Sequence, residues 1–296
     1  MARRRATLEN GTLRFLVNRP VSRSIKSSVS IITLTTDFGV ADWFVGTMKG
    51  VILGIQPRAV LVDVTHEIPP GDIRAGAFAL AASHPFFPRG TIHLAVVDPG
   101  VGGERRILAV QTRDFVFVGP DNGVLSCALA KENVEAVHHI TNARFFLNPV
   151  SQTFHGRDVF APVAAHLSAG VPIQKLGPPV RDYLRLDWPR PRVGQDETTG
   201  EIIHIDRFGN AITNIADSAL SALDRARCEV SVKRKRLWPI CSFYQAVPAG
   251  KPVAVFGSSG FLEIAVNGGS AARSFRLKVG DRVSVRQRRH QESSSS

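Results

Sequence analysis

Ile31-Ile32-Thr33-Leu34-Thr35-Thr36-Asp37-Phe38-Gly39 decides the fold. A β-rich run stops at an acidic residue and a glycine, and a helical pattern takes over from about Asp42. The same grammar repeats downstream. A strand at Val60 to Val64 precedes a helix with Asp72 as its N-cap, whose Ile73, Ala77, Leu80 and Ala81 share one face. Ile92 to Val97 then runs into Asp98-Pro99-Gly100, and strands near Ile107 to Gln111 and Phe115 to Val118 lead to Pro120-Asp121-Asn122-Gly123. Strands alternating with helices predict an α/β layer with a central, mostly parallel sheet, and its polar strand ends are where such sheets build sites.

Outward from this core the pattern changes twice. Residues 1–29 form a basic extension, expected to be disordered, and the α/β domain covers 30–187. Residues 188–200, with Trp188-Pro189-Arg190-Pro191-Arg192 and Gln195 to Gly200, break every periodicity and read as a linker. Short strand-like runs follow over 201–288, at Glu201 to Asp206, Ala211 to Asn214, Cys228 to Val232, Val253 to Phe256, Phe261 to Val266 and Arg282 to Val285. They predict a smaller antiparallel β-barrel domain, with a frayed tail over 289–296.

The chain has 296 residues and a formal charge of +12. That charge would suggest polyanions, but it is localised. Seven basic residues against Glu9 lie within the first thirty positions, four more form Lys233 to Arg236, and the tail adds Arg286, Arg288 and Arg289 against Glu292. The remainder is balanced, which argues against nucleic acid as partner. No apolar run reaches the roughly 20 residues of a membrane span. Three cysteines without CxxC spacing fit neither a disulfide framework nor a zinc site and suit a reducing compartment. A cytoplasmic location is expected, with an organellar transit peptide left open by the Arg-rich start.

Four polar clusters stand out. Asp37 can accept two vicinal hydroxyls of a ribose, or cap the helix that follows. Val97 to Arg106, with Gly100, Gly102 and Gly103 between Asp98 and Arg105, reads as a tight turn flanked by an ion pair, without the ending of a phosphate-binding loop. Thr153 to Asp158 leaves His155 on a loop if Asp158 caps the next helix, with Pro162 in its first turn. Asp206 to Asn214 reads as a hairpin bent at Gly209-Asn210. His66, His93 and His155 with Asp37, Asp63 and Asp98 are the one metal option, and they lack paired ligand spacing, so no metal is expected.

Taken together and in order, these segments closely resemble the S-adenosylmethionine hydroxide adenosyltransferases, relatives of the bacterial fluorinase and chlorinase. The resemblance runs from about Ile31 to Val285 and includes Asp63-Val64-Thr65-His66-Glu67-Ile68, Pro120-Asp121-Asn122-Gly123, and Gly257-Ser258 through Asn267. It implies hydrolysis of S-adenosyl-L-methionine to adenosine and L-methionine, with no cofactor. It also implies a homotrimer that holds its ligand between one subunit's N-domain and its neighbour's C-domain. Asp37 then matches the residue that grips the ribose hydroxyls, Asp206, Asn210 and Ser258 meet the methionine end, and Asn267 and Gly268 meet the adenine edge through backbone groups. Asp98, Arg105 and His155 match the water-activating triad, with His155 as the base.

Within the resemblance, the halogenating relatives carry Tyr-Ser where this chain has His155-Gly156, and an inserted loop where only a short connection precedes Asp121. Water is therefore expected as nucleophile. A chlorinase and a non-catalytic S-adenosylmethionine-binding protein remain the alternatives at this point, and Gly71, aromatic in the fluorinase, leaves the ribose packing open.

Overall fold

The computed structural model describes residues 6–9, 12–15 and 30–287, except 222, 225, 226, 234, 238 and 239. The disordered extension and tail expected from the sequence fall outside the described residues, apart from Ala6–Glu9 (β1) and Thr12–Phe15 (β2), which pair antiparallel. The chain divides into two compact units, Arg19–Leu186 in one and Asp187–Ser296 together with Met1–Asn18, which includes β1 and β2, in the other.

The first unit is built on a six-stranded sheet of β3 (Ile31–Thr36), β4 (Val60–Thr65), β5 (Ile92–Val96), β6 (Ile107–Thr112), β7 (Val116–Pro120) and β8 (Val134–His139), in the order β4-β3-β5-β7-β6-β8. β4, β3, β5 and β7 run parallel, and β6 is reversed between β7 and β8. Helices α1 (Phe44–Ile55) and α4 (Ala161–Ser168) pack Met48, Ile52 and Val163 against Ile32, Leu34, Leu94 and Val96. Helix α2 (Ile73–Ser83) packs on β3, β4 and the short α3 (Ser126–Leu129). All five residues of β5 are buried, as a central parallel strand covered on both faces requires. Because β3 and β5 are parallel and in register at Thr36 and Val96, the turns that carry Asp37 and Asp98 leave the same edge of the sheet.

The second unit is a curled, mostly antiparallel sheet. Its strands are β9 (Arg192–Val193), β10 (Glu197–Ile205), β11 (Ala211–Ala216), β12 (Cys228–Val232), β13 (Lys235–Leu237), β14 (Ile240–Cys241), β15 (Pro252–Phe256), β16 (Phe261–Val266) and β17 (Arg282–Gln287). They follow the path β13-β12-β17-β10-β11-β16-β15-β14, with β9 added beside β10. Contacts of β12 with β14 and β13 with β15 draw the two ends of the path together around Ile202, Ile215, Val230, Leu262 and Val283. Helix α5 (Ala271–Phe275) follows β16.

Most expected strands fall within two residues of their places, and Asp72 caps α2 by accepting the Ala75 N–H at 2.9 Å. Four expectations need correction. Asp37 caps no helix: α1 starts at Phe44, and its N-cap position, Trp43, makes no side-chain cap bond. Asp158 is not an N-cap either, since it lies inside a π-helical turn, Gly156–Phe160, preceded by His155. Pro162 explains this turn in part, because it has no N–H to offer the Asp158 carbonyl four residues back. That carbonyl accepts the Leu147 N–H at 2.8 Å instead. Third, the linker is only partly irregular, since Thr198 pairs with Val193 and then with Val285. Fourth, the set of expected strands is incomplete, since β8, β13 and β14 also join the sheets.

Of the basic run, Lys233 sits at a positive φ of 47° between β12 and β13 and meets Asp281 at 2.8 Å, and Arg236 meets Glu229 at 3.2 Å. No helix among the described residues is long and apolar enough to cross a membrane.

Candidate active site

The first unit gathers Asp98, Arg105 and His155. Asp98 leaves the end of β5, Arg105 comes back just before β6, and His155 precedes the π-helical turn. Arg105 Nε donates to both Asp98 oxygens at 3.0 Å, and Nη2 donates to Oδ2. The same Nη2 lies 2.9 Å from His155 Nδ1. The side chains of Asp98 and Arg105 are 4% and 11% exposed, so this pair works largely away from bulk solvent. A charge-assisted, two-point pair of this kind fixes geometry as well as energy. Burial, and next the positive charge of Arg105, hold the His155 pKa below its ordinary 6.5.

The hydrogen-bond roles here have one solution. A guanidinium is donor only, so His155 Nδ1 must accept. The proton of the neutral ring is then on Nε2.

Two glycines bring the parts together. Gly102 has φ +78°, and a Cβ there would overlap the Gln152 carbonyl oxygen, so the 98–106 turn lies directly against the loop before His155. At Gly156 a Cβ would come within 3.1 Å of Phe38 and Phe154. These rings and Phe44 wall a cavity of about 150 Å³ that Asp98, His155, Val96 and Val101 also line. The site is an apolar hollow with one polar corner, the usual form of a small-molecule pocket.

Asp37 is half-buried, and its Oδ2 accepts the Gly71 N–H at 2.8 Å. One face of its carboxylate is therefore set by the chain itself. Of the histidines weighed as ligands, His93 is fully buried and stacks on Phe117 at 5.1 Å, with Nδ1 on Thr33 Oγ1. His66 Nδ1 lies on Thr36 Oγ1. Neither is presented to the cavity as a ligand beside His155.

The second unit holds the other candidates. Asp206 and Asn210 close the hairpin between β10 and β11: Oδ1 accepts the Asn210 N–H at 2.8 Å, Oδ2 accepts Nδ2 at 3.0 Å, and Gly209 takes φ +83° at the bend. Ser258 is exposed in the turn between β15 and β16. Asn267 is more committed than the sequence suggests. Its N–H donates to Lys251 O, its carbonyl accepts from Gly250, and Nδ2 donates to Val247 O at 2.7 Å. Gly268 follows at φ +70°.

Sequence reasoning passed over two residues beside this cluster. Glu263, only 5% exposed on β16, accepts the Tyr244 hydroxyl at 2.6 Å, and its carboxylate fills the space where a Cβ on Gly257 would sit. Burial, and then the nearby negative charge of Asp206, raise its pKa. Tyr244 is pushed up by burial and by the same carboxylate. An acidic residue within the apolar run Phe261 to Val266 was the signal available.

Comparison with known proteins agrees across both units. Residues 32–177 match the SAM hydroxide adenosyltransferase N-terminal domain, and 200–284 match its C-terminal domain. The (R)-S-adenosyl-L-methionine hydrolase of Salinispora tropica is 42% identical over 86% of this chain and 97% of its own. A fluorinase of an Actinoplanes species is more distant, 27% identical over 86% of this chain and 97% of its own. The crystal structure of a conserved protein from Thermotoga maritima superimposes with a TM-score of 0.81, at 37% identity, covering 88% of this chain and 100% of that one.

Proposed function

The chain belongs to the SAM hydroxide adenosyltransferase family, and on that premise we propose that it hydrolyses S-adenosyl-L-methionine to adenosine and L-methionine. The observation that carries this reading is the Asp98–Arg105–His155 chain at the polar corner of an otherwise apolar cavity. A sulfonium departs as neutral methionine and needs no acid, so the difficulty lies with the nucleophile. Free water has a pKa of about 15.7 and must be held in line with the ribose C5′ and relieved of a proton as the C–O bond forms.

The residues divide this work. His155 donates from Nε2 to the attacking oxygen and so orients it, a different part from the base expected on sequence. The water proton becomes strongly acidic as its oxygen bonds to carbon, so a carboxylate suffices to take it. Asp98 fills that role and passes the proton to solvent. Arg105 holds Asp98 and fixes the His155 tautomer. Asp37 receives the ribose hydroxyls, Asp206, Asn210 and Ser258 receive the methionine end, and the backbone about Asn267 and Gly268 meets adenine.

The same reading includes a homotrimer with sites shared between neighbouring subunits. Exposed Val40 and Trp43 beside the Asp37 turn, and exposed Phe208 beside Asn210, are apolar surface that such an assembly would cover. The reaction calls for no cofactor, because the substrate carries its own leaving group.

The test is product analysis in ¹⁸O-water with halide-free buffer. Label at the adenosine 5′ oxygen with stoichiometric methionine is the expected result. Formation of 5′-chloro-5′-deoxyadenosine in chloride, or tight binding without turnover, would overturn it.

A further inference from the structure

One residue outside the cavity lining holds the Asp37 turn at two points. His66, 4% exposed just beyond β4, places Nδ1 2.8 Å from Thr36 Oγ1, and its backbone carbonyl accepts the Gly39 N–H at 2.8 Å. Thr36 and Gly39 bracket Asp37 and Phe38. The Phe38 N–H in turn donates to Thr36 Oγ1 at 3.3 Å. Behind His66, Nε2 lies 3.1 Å from Asp63 Oδ1, off the line of an ideal hydrogen bond, and Lys49 Nζ donates to Asp63 Oδ2 at 2.6 Å. A register shift between β3 and β4, where Leu34 faces Asp63 but Thr35 faces Thr65, locally re-aims the strand end that leads into His66.

The carboxylate beside Nε2 sets the favoured tautomer. Asp63, already balanced by Lys49, only accepts, so the imidazole proton belongs on Nε2. Nδ1 then accepts, the Thr36 hydroxyl donates to it, and the Thr36 oxygen keeps a lone pair for the Phe38 N–H. Burial opposes the ionisation of Asp63, but Lys49 and His66 hold its pKa low. The chain Lys49–Asp63–His66–Thr36 ends one residue from a carboxylate whose other restraint is the Gly71 N–H.

We propose that His66, through Thr36 and Gly39, is a positioning residue that presents the Asp37 carboxylate to the two ribose hydroxyls of the substrate. The inference rests on the reading of Asp37 as the ribose acceptor. It gives a charge-balanced relay, buried at His66 and Thr36, a task in substrate selection beyond its share in packing.

The experiment compares kcat/KM for S-adenosyl-L-methionine and its 2′-deoxy analogue in the full-length protein. The variants are Thr36→Val, Thr36→Ser, His66→Leu and Asp37→Asn. Thr36→Val keeps the shape of the side chain and removes the hydroxyl. It is expected to reduce discrimination against the deoxy analogue about tenfold, mainly through KM for the natural substrate, as loss of an aligned hydrogen bond to a charged group would. Thr36→Ser should retain the discrimination, and His66→Leu, which has no acceptor for the Thr36 hydroxyl, should lose it as Thr36→Val does. Thermal unfolding of each variant identifies any loss due to misfolding, and the Val/Ser contrast at matched stability decides the case. Wild-type discrimination in Thr36→Val and His66→Leu, with Asp37→Asn impaired, would overturn the positioning role alone. Wild-type discrimination in Asp37→Asn would instead remove the ribose reading and this inference with it.

Discussion

Gly102 lies against the Gln152 carbonyl so closely that a single added carbon would overlap the oxygen, and Gly102 holds φ at +78°. The contact locks the turn that carries Arg105 to the loop that presents His155, whose Nδ1 is 2.9 Å from Arg105 Nη2. Gly102→Ala would have to open this contact as well as strain the backbone. A displacement of about 1 Å at reacting groups can lower a rate about 100-fold, and a loss of that order in kcat/KM is expected. Gly100→Ala is the comparison, since its Cβ would meet nothing closer than 3.8 Å, and it should stay within about twofold. Equal rates for the two variants would show that the loop contact is not what sets the triad.

The tautomer of His155 separates two roles by substitution. If Nε2 donates to the attacking water, His155→Gln can place an amide N–H near the same point, whereas His155→Asn reaches only to the Nδ1 position. The Gln variant should therefore keep at least about tenfold more activity than the Asn variant, out of the roughly 10²–10⁴-fold that a positioned proton-transfer group contributes. Asp98→Asn, which removes the proposed proton acceptor, should show the full loss. Steady-state rates with product analysis check all three, and equal loss in both His155 variants would restore the ring as base.

The pH dependence follows from the same contact. Protonated His155 would turn an N–H at Nδ1 toward the Arg105 donor, so the active ring is neutral. Burial and Arg105 lower its folded pKa beneath 6.5. Activity should be full at neutral pH and fall on acidification, with the midpoint of kcat/KM on the acid side below 6.5. The sign for stability agrees: between the folded and unfolded values the unfolded chain binds more protons, so stability falls as pH drops below 6.5. Proton NMR titration should place the ring nearer its ordinary value in Arg105→Met. An unchanged value there would mean that Arg105 does not set it.

Much of this architecture is legible in the chain because strand runs and breakers coincide. Ile31 to Thr36 ends at Asp37, Ile92 to Val97 ends at Asp98, and a parallel sheet brings both ends to one edge. Asp72 as a cap and the Asp206–Asn210 hairpin were likewise readable, since each needs only neighbours a few residues away. What escaped depends on distant partners. Whether Asp37 caps a helix was settled by the Gly71 N–H, 34 residues away. Asp158 was displaced from a cap by a π-turn that leaves its carbonyl to Leu147. β8 carries Glu135, His138 and His139 within its run, and pairs with β6 despite that polarity. Tyr244, between Phe243 and Gln245, shows no purpose until Glu263 is brought to its hydroxyl.

That last pair yields a prediction in the second unit. Glu263 has its folded pKa raised, by burial first and by Asp206, while the Tyr244 hydroxyl works the other way by stabilising the carboxylate. A group with a raised folded pKa binds more protons folded than unfolded, so its contribution to stability is present at low pH and is lost as pH rises through that value. Tyr244→Phe leaves a buried carboxylate oxygen without its donor, a loss of about 1–3 kcal/mol at pH values where Glu263 is ionised. The destabilisation should therefore grow as pH rises above the ordinary carboxyl range through the raised value. Glu263→Gln keeps an acceptor for Tyr244 and removes the charge, so stability in this variant should depend less on pH and exceed that of the parent at pH 8. Thermal unfolding of the three proteins across that range checks both statements, and parallel stability curves would mean that Glu263 stays ionised throughout.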